Sequence, residues 1–383
     1  MVEIKEVTGN SGIDEFIKFP DRLYKGSPYR VTPLHSFERK SLRKDCNPAF
    51  EYCDAKYWLA YKGGKTVGRI AGIISHSSNR LRNEKSARFG WIDFIDDAQV
   101  SDSLFKTAED WALSNGMTHM HGPLGFTDMD LEGMLISGFD EIGTQAVLYN
   151  YPYYPIHLER NGYHKEVDWI QFEIKVPDSV PAKVTRIAEI VKERYNLRVL
   201  PAKKAKDLLP YAPKMFDTLN EAYSKLYGFV ALTPAQIEAY TKQYFPQINP
   251  RYVCFILDPN DEVAGFGISL LSLSKALIKA KGTLFPFGFF HILKALRYND
   301  TVDMLLQGVK MKYHNKGLPA IFFAEMMKNY IEDGIKYAVS SSSLEYNTAA
   351  YLTFLDYENR QHIRRRCYGK DLDAQNPLFT KTL

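Results

Sequence analysis

The sequence predicts a mixed α/β chain made of two copies of one unit, each a mixed sheet flanked by helices. Three observations predict it: a length suited to two cores, a pair of matching glycine-bearing hairpins, and the same order of elements after each hairpin. At 383 residues the chain exceeds one ordinary core and suits two, since domains usually run to about 100–200 residues. Its 45% hydrophobic and 25% charged residues are globular averages and argue against disorder.

The hairpins come first, because self-similarity reports architecture before function. Tyr57–Tyr61 reads as a strand, 62–65 (KGGK) as a turn, and Thr66–Ile74 as a second strand carrying Gly68 and Gly72. The second half repeats this plan with Tyr252–Leu257, the turn 258–261 (DPND), and Glu262–Leu271 with Gly265 and Gly267. Each half then continues strand, helix, strand. In the first half these are Ala87–Ile95, a helix over Asp102–Asn115 with Ser101 as N-cap and Gly116 as stop, and Met117–His121. In the second half they are Asp303–Val309, a helix over Pro319–Asp333 ended by Gly334, and Tyr337–Leu344. Between the halves, 176–181 (VPDSVP) is turn-rich and precedes an amphipathic helix with Val184, Ile187, Val191 and Tyr195 at helical spacing. The expected domains are therefore 1–176 and 177–383.

Bulk chemistry excludes several classes. Lysine plus arginine exceeds aspartate plus glutamate by 49 − 45 = 4, too weak an excess to suggest a nucleic-acid binder. Cys46, Cys53, Cys254 and Cys367 show no zinc-enclosing spacing with histidine, so no metal is expected and the thiols read as reduced. The opening residues are acidic where a signal peptide is basic, and no window approaches about 18 uninterrupted apolar residues, so the expected location is cytoplasmic. The 25 Tyr and 23 Phe suit large cores and equally suit a groove for an apolar ligand.

This order of elements, with a glycine-bearing turn between a strand and its helix, resembles the GNAT superfamily of acyl-CoA-dependent N-acyltransferases, over most of both halves. The sharpest part runs from Leu306 to Pro319 (LQGVKMKYHNKGLP), similar to the family's strand, pyrophosphate loop and helix start. Gly317 keeps the central position of the family's loop pattern, while His314 and Pro319 depart from its ends. The resemblance implies an acetyl-CoA or longer acyl-CoA donor held by Gln307, Val309, His314, Asn315, Lys316, Gly317 and Leu318. The physics of such a loop stands apart from the name. Free N–H groups at a helix start attract phosphate, glycine permits close approach, and Lys310, Lys312 and Lys316 add positive charge. Proline at the loop's end removes one donor.

After the next strand, 345–350 (EYNTAA) resembles the family's Asn-x-x-Ala helix start, which implies that Asn347 bonds the pantetheine arm; an ordinary helix cap is the plain alternative. Where family members often carry a tyrosine acid, seven residues on, this chain has Phe354, which donates no proton. In the first half the strand runs straight into Asp96 and Asp97 without a glycine loop, and carboxylates there repel pyrophosphate, so only the second unit is expected to bind the donor.

Two segments exceed the shared plan. Residues 275–297 interleave Lys275, Lys279, Lys281, Lys294 and Arg297 with an aromatic run at 283–293 (TLFPFGFFHIL), a pattern that suits a membrane headgroup boundary, a lid over a greasy chain, or two buried helices. Phe287 and His291 are its candidate acceptor contacts. Residues 121–135 (HGPLGFTDMDLEGML) are glycine-punctuated and acidic, and Asp128 and Asp130, with Glu132, suit an ammonium-bearing acceptor if they are not simply solvated. The tandem plan, these two segments and the ending 363–370 (IRRRCYGK) are similar to a branch of bacterial GNAT-like proteins, some of them associated with N-acylation of long-chain lipid amines. That resemblance implies a lipid amine acceptor. The Arg364–Arg366 run reads as the solvated face of an edge strand. Glu345 is the candidate general base, with His291 and Glu325 behind it. The rival expectation is a duplicated scaffold that binds acyl-CoA, lipid or peptide without turnover.

Overall fold

The computed structural model describes residues 1–245 and 248–372. Its strands are β1 (Val2–Glu6), β2 (Cys53–Lys62), β3 (Lys65–Ser75), β4 (Ser86–Phe94), β5 (His119–Gly122), β6 (Met134–Ser137), β7 (His164–Lys175), β8 (Arg198–Val199), β9 (Val253–Leu257), β10 (Val263–Leu271), β11 (Thr301–Val309), β12 (Tyr337–Ser340), β13 (Ser343–Leu344) and β14 (Asn359–Asp371). The chain divides into two compact units. The first comprises Met1–Trp169, Ser274–His291 and Ile363–Leu383, and the second Ile170–Leu273 and Ile292–His362.

A single cut at 176/177 therefore does not separate them. The end of β14 belongs to the first unit because Tyr368–Asp371 pair with β5 and Arg364–Arg366 with β6. Segment 274–291 also belongs there, where the His35 N–H donates to the Gly282 carbonyl at 2.9 Å.

Each unit repeats the same construction. In the first, β2 and β3 form an antiparallel hairpin through Gly63 and Gly64, both at positive φ, and β4 joins β3 antiparallel and β5 parallel. In the second, β9 and β10 form the hairpin, and β11 joins β10 antiparallel and β12 parallel. The paired glycines have a packing cause. A Cβ at Gly68 would lie 2.7 Å from Leu104, and one at Gly267 would lie 3.0 Å from Met326. In both units the crossover helix, Ala98–Ser114 or Pro319–Glu332, lies close on the hairpin strand that carries them.

Helix ends follow local chemistry. Pro319 opens its helix, and Gly334, at φ 71°, follows the capping Asp333, as expected. The first-unit helix begins at Ala98, four residues earlier than expected, because Asp97 rather than Ser101 caps it by accepting the Gln99 N–H at 2.9 Å. Ser101 is buried inside the helix and bonds His157 Nδ1 at 2.7 Å.

The arginine run is not a solvated edge. Arg365 is buried, and Arg364 and Arg366 each reach the buried carboxylate of Asp168 at 2.8 Å, because β14 is a paired strand. No helix among the described residues is long and apolar enough to cross a membrane.

Candidate functional site

The site begins with a strand that loses its neighbour. β11 pairs in parallel with β12 from Thr301↔Tyr337 to Met304↔Ser340 and no further. At that point its register to β10 shifts between Ile268↔Leu306 and Ser269↔Met304, so Leu305 is bulged out. Beyond the bulge β11 keeps β10 but leaves β12, and a wedge opens.

Strand alternation decides which backbone groups face that wedge. The Lys310 N–H donates to Ala264 of β10, so the N–H groups of Gln307 and Val309 point the other way. Their carbonyls agree: Gln307 O accepts from the Tyr223 hydroxyl at 3.0 Å, and Val309 O faces His314 Nε2 at 2.9 Å. The wedge encloses a cavity of about 20 Å³, room for about one water molecule, so its walls lie close together. Met304, Leu306, Phe322, Phe323, Met326 and Phe354 give it apolar walls, while Ser269, Gln307, Tyr330, Ser340 and Ser341 add polar groups. The Tyr330 hydroxyl donates to Ser269 Oγ at 2.6 Å, and burial raises its pKa, so it stays a neutral phenol.

The glycine loop follows β11 and precedes the helix Pro319–Glu332. Gly317 has φ +80° and Leu318 φ −53°, an alternation that turns successive N–H groups to one side. The Lys316 N–H is bonded to Tyr313 O, but the N–H groups of Asn315, Gly317 and Leu318 have no partner among the described residues. Pro319 adds none. Glycine is required at 317 by its φ, and a Cβ there would also lie 3.2 Å from Val191. The lysines are not equivalent. Lys310 pairs with Glu262 at 3.4 Å and Lys312 with Asp258 at 2.6 Å, so their charge is largely neutralised within the fold. Lys316 instead lies over the Tyr195 and Tyr313 rings at 5.1 and 5.6 Å, with no carboxylate partner among the described residues. Glu221 accepts the Met311 N–H at 2.6 Å and brings a negative charge to the loop's start. The open N–H groups and Lys316 suit a phosphate group.

The first unit has the same strands but no wedge. β4 and β5 pair in parallel only as far as Arg88↔His121, yet the following loop fills the gap. The Leu124 N–H donates to Phe89 O at 2.8 Å, and a Cβ on Gly90 would lie 2.4 Å from Leu124 O. Leu124 and Phe126 are buried there. At the adjacent helix start, Asp97 occupies the cap and pairs with Lys62. The chain's own groups thus fill the place an anion would take.

Among the other candidates, Asn347 is at the cap of the short helix Thr348–Tyr351, but its side chain caps nothing. Glu345 is in the turn after β13, with its carbonyl accepting from Tyr351 at 3.0 Å, and it is not among the wedge-lining residues. Glu325 lies 3.9 Å from Lys192, also outside the lining. Asp128, Asp130, Phe287 and His291 belong to the first unit, whereas the wedge is lined by the second alone. Sequence reasoning missed Tyr223, Ser340 and Ser341, for which only the runs of serine at 340–343 gave a hint.

The acidic loop is half-buried rather than solvated. Burial pushes Asp128 up to about 7 and Asp130 up to about 6, and burial together with the Asp128 charge raises Glu132. Asp130 is also structural, accepting the Thr127 N–H at 3.0 Å. Because the folded state holds a proton on Asp128 that the unfolded chain releases near pH 4, stability falls as pH rises from about 4 to about 7. Asp128→Asn is expected to flatten that slope by up to one proton, measured by denaturant unfolding at pH 5 and pH 8; an unchanged slope contradicts the buried-acid account.

No protein-family model matches the chain. It is 26% identical over 313 residues to Protein YghO of Escherichia coli K12, covering 81% of this chain and 79% of that one. It is 29% identical over 310 residues to a bacterial ceramide synthase of Caulobacter vibrioides, covering 79% and 78%. A tandem GNAT protein from the clavulanic acid biosynthesis pathway superimposes with a TM-score of 0.55 at 13% identity, covering 98% of this chain and 100% of that one. A GCN5-related N-acetyltransferase from Anabaena variabilis gives a TM-score of 0.53 at 9% identity, covering 97% and 73%. Two units of hairpin, splayed strand pair and crossover helix, with these neighbours, make this chain a tandem GNAT-fold protein.

Proposed function

We propose that the second unit binds an acyl-CoA and transfers its acyl group to the amine of a lipid. The observation that carries this reading is the parting of β11 from β12 beyond Met304↔Ser340, followed by a loop with unpartnered N–H groups, set against the filled counterpart in the first unit. Gly317, Leu318 and Lys316 would hold the pyrophosphate, and Asn347, with its side chain uncommitted to a cap, the pantetheine arm. The donor supplies the reactive thioester carbonyl. The amine nitrogen attacks that carbon, the C–S bond breaks, the amine loses a proton to a base, and the departing thiolate gains one. The N–H groups of Gln307 and Val309 face the developing oxyanion, where one oriented donor contributes about 10²–10³-fold to the rate.

The lipid acceptor draws support from the resemblance to a protein named as a ceramide synthase and from the helix Gly288–Arg297 with the turn before it. Phe285 and Phe287 are 77% and 70% exposed, and Phe290, Leu293 and Leu296 are exposed on the helix beside Lys294 and Arg297. The stretch 274–299 contains no acidic residue. Exposed aromatic groups among cations suit the boundary of an anionic membrane, so this helix serves as a peripheral contact.

The wedge lining contains no carboxylate or imidazole, and Phe354 is buried in its wall, which favours a second reading of binding without turnover. Thiol release from acetyl-CoA and from a long-chain acyl-CoA, with long-chain amines as acceptors, separates the two. The transfer reading predicts amine-dependent thiol release; binding by calorimetry without release establishes the second reading instead. Glu345 is the proposed base. Glu345→Gln is expected to lower kcat by about 10²-fold or more with donor affinity unchanged, and an unaltered kcat places the base elsewhere.

A further inference from the structure

The first unit contains a cluster that neither transfer nor donor binding uses. His119 and His121 alternate on β5, so both rings project from one face of the strand. Glu166 of β7 meets them with both oxygens: Oε1 lies 2.6 Å from His119 Nε2, and Oε2 lies 3.5 Å from His121 Nδ1. The approach depends on Gly369 of β14, which pairs opposite His121. A Cβ at 369 would lie 1.8 Å from Glu166 Oε1, so only glycine leaves the lane through which the carboxylate reaches the imidazoles. The second nitrogen of His119 is already committed, with Nδ1 lying 2.8 Å from Asp371 Oδ1.

We propose that His119, His121 and Glu166 form a three-ligand site for a divalent transition metal, zinc by preference, with a fourth position for water or a small ligand. One potential ligand atom from each residue lies within 4.8 Å of the other two. Tetrahedral zinc at about 2.1 Å from its ligands needs ligand atoms about 3.4 Å apart, so side-chain shifts of about 1 Å close the site. Two imidazoles and a carboxylate are a donor set that zinc accepts and that calcium and magnesium, which take oxygen, do not. The Asp371 contact supplies the outer carboxylate that characteristically orients a ligating histidine and leaves its other nitrogen for the metal. All three ligands are largely shielded from solvent, with side-chain exposures of 24%, 11% and 18% for His119, His121 and Glu166. The cysteine and histidine spacing that argued against a metal did not reach this set, because Glu166 is 45 residues from His121, counting 166 − 121. The plain alternative is a protonated His119 held between two carboxylates.

Zinc uptake by the full chain, measured by equilibrium dialysis and elemental analysis, decides between them, with the visible spectrum of the Co²⁺-loaded protein as a readout independent of any variant. One zinc per chain is expected, weakened at least 100-fold in His121→Asn and Glu166→Gln but not in His76→Asn, a change at an exposed histidine outside the cluster. Co²⁺ is expected to give the intense visible bands of a tetrahedral site. Uptake below one equivalent, or uptake that both cluster variants leave unchanged, overturns the proposal. If a variant fails to fold by circular dichroism, the wild-type spectrum decides, and weak octahedral bands or none overturn it.

Discussion

Replacing Gly317 by aspartate is expected to weaken acyl-CoA binding about 100-fold, read by titration calorimetry with a long-chain acyl-CoA. Two effects add. Position 317 has φ +80°, which costs a non-glycine residue about 1–2 kcal/mol, so the free loop relaxes to another conformation and binding must restore the first. The new carboxylate also stands at the N–H pair of residues 317 and 318, where a phosphate is expected. Two unit charges about 4 Å apart near a protein surface interact by about 4 kcal/mol before salt screening. A net loss of about 2.7 kcal/mol is the stated 100-fold. Gly317→Ala carries the backbone strain without the charge and is expected to lose several-fold, so the gap between the two variants measures the electrostatic part. Equal affinity in wild type and Gly317→Asp means that the phosphates bind elsewhere.

The largest effect on stability is expected at Asp168. Its carboxylate is buried and accepts from Arg364 and Arg366, both at 2.8 Å, so one acid bridges two arginines of β14. Burial alone would raise its pKa, but the bonds from Arg366 and Arg364 overcome that and hold it below the ordinary aspartate value. Removing one partner of a buried pair costs about 3–5 kcal/mol, and the partial exposure of both arginines puts Asp168→Asn near the lower figure. For a unit of this size that lowers Tm by about 6–12 °C. The sign with pH follows from linkage. A depressed carboxyl pKa stabilises the fold fully above about pH 4, the unfolded value, and the stabilisation is lost as pH falls through the folded value. The difference between wild type and variant is therefore expected to hold at pH 7 and to shrink in acid. A variant as stable as wild type at pH 7 contradicts the assigned pairing.

What the sequence makes legible divides along one physical line. Features set by neighbours in the chain were legible. Gly63 and Gly64 marked the first hairpin, Pro319 and Gly334 bracketed the second crossover helix, and the paired glycines marked strands that a helix approaches closely. The start of the first crossover helix was misplaced because Asp97 and Ser101 both carry oxygens able to cap, and only packing decides between them. Features set by distant pairing were not legible. The glycine loop around Gly317 and the start at Asp96 and Asp97 set the two units apart locally, but the strand geometry did not show: the wedge depends on pairing that stops at Met304↔Ser340, the filled gap on a loop folded back onto Phe89. The arginines of β14 read as solvated because Asp168, their partner, lies 196 residues from Arg364. Lys310 and Lys312 were expected to serve an anion, yet each is drawn to a carboxylate of its own fold, leaving Lys316 for that task.

Amide hydrogen exchange with and without a long-chain acyl-CoA tests the central claim most directly, because it reads the very N–H groups on which donor binding rests. Slower exchange is expected at Gln307, Val309, Gly317 and Leu318, with no change at the corresponding helix start around Asp97–Ser101. Unaltered exchange over 307–318 at a saturating donor concentration, or protection confined to the first unit, would contradict an acyl-CoA site between the splayed strands.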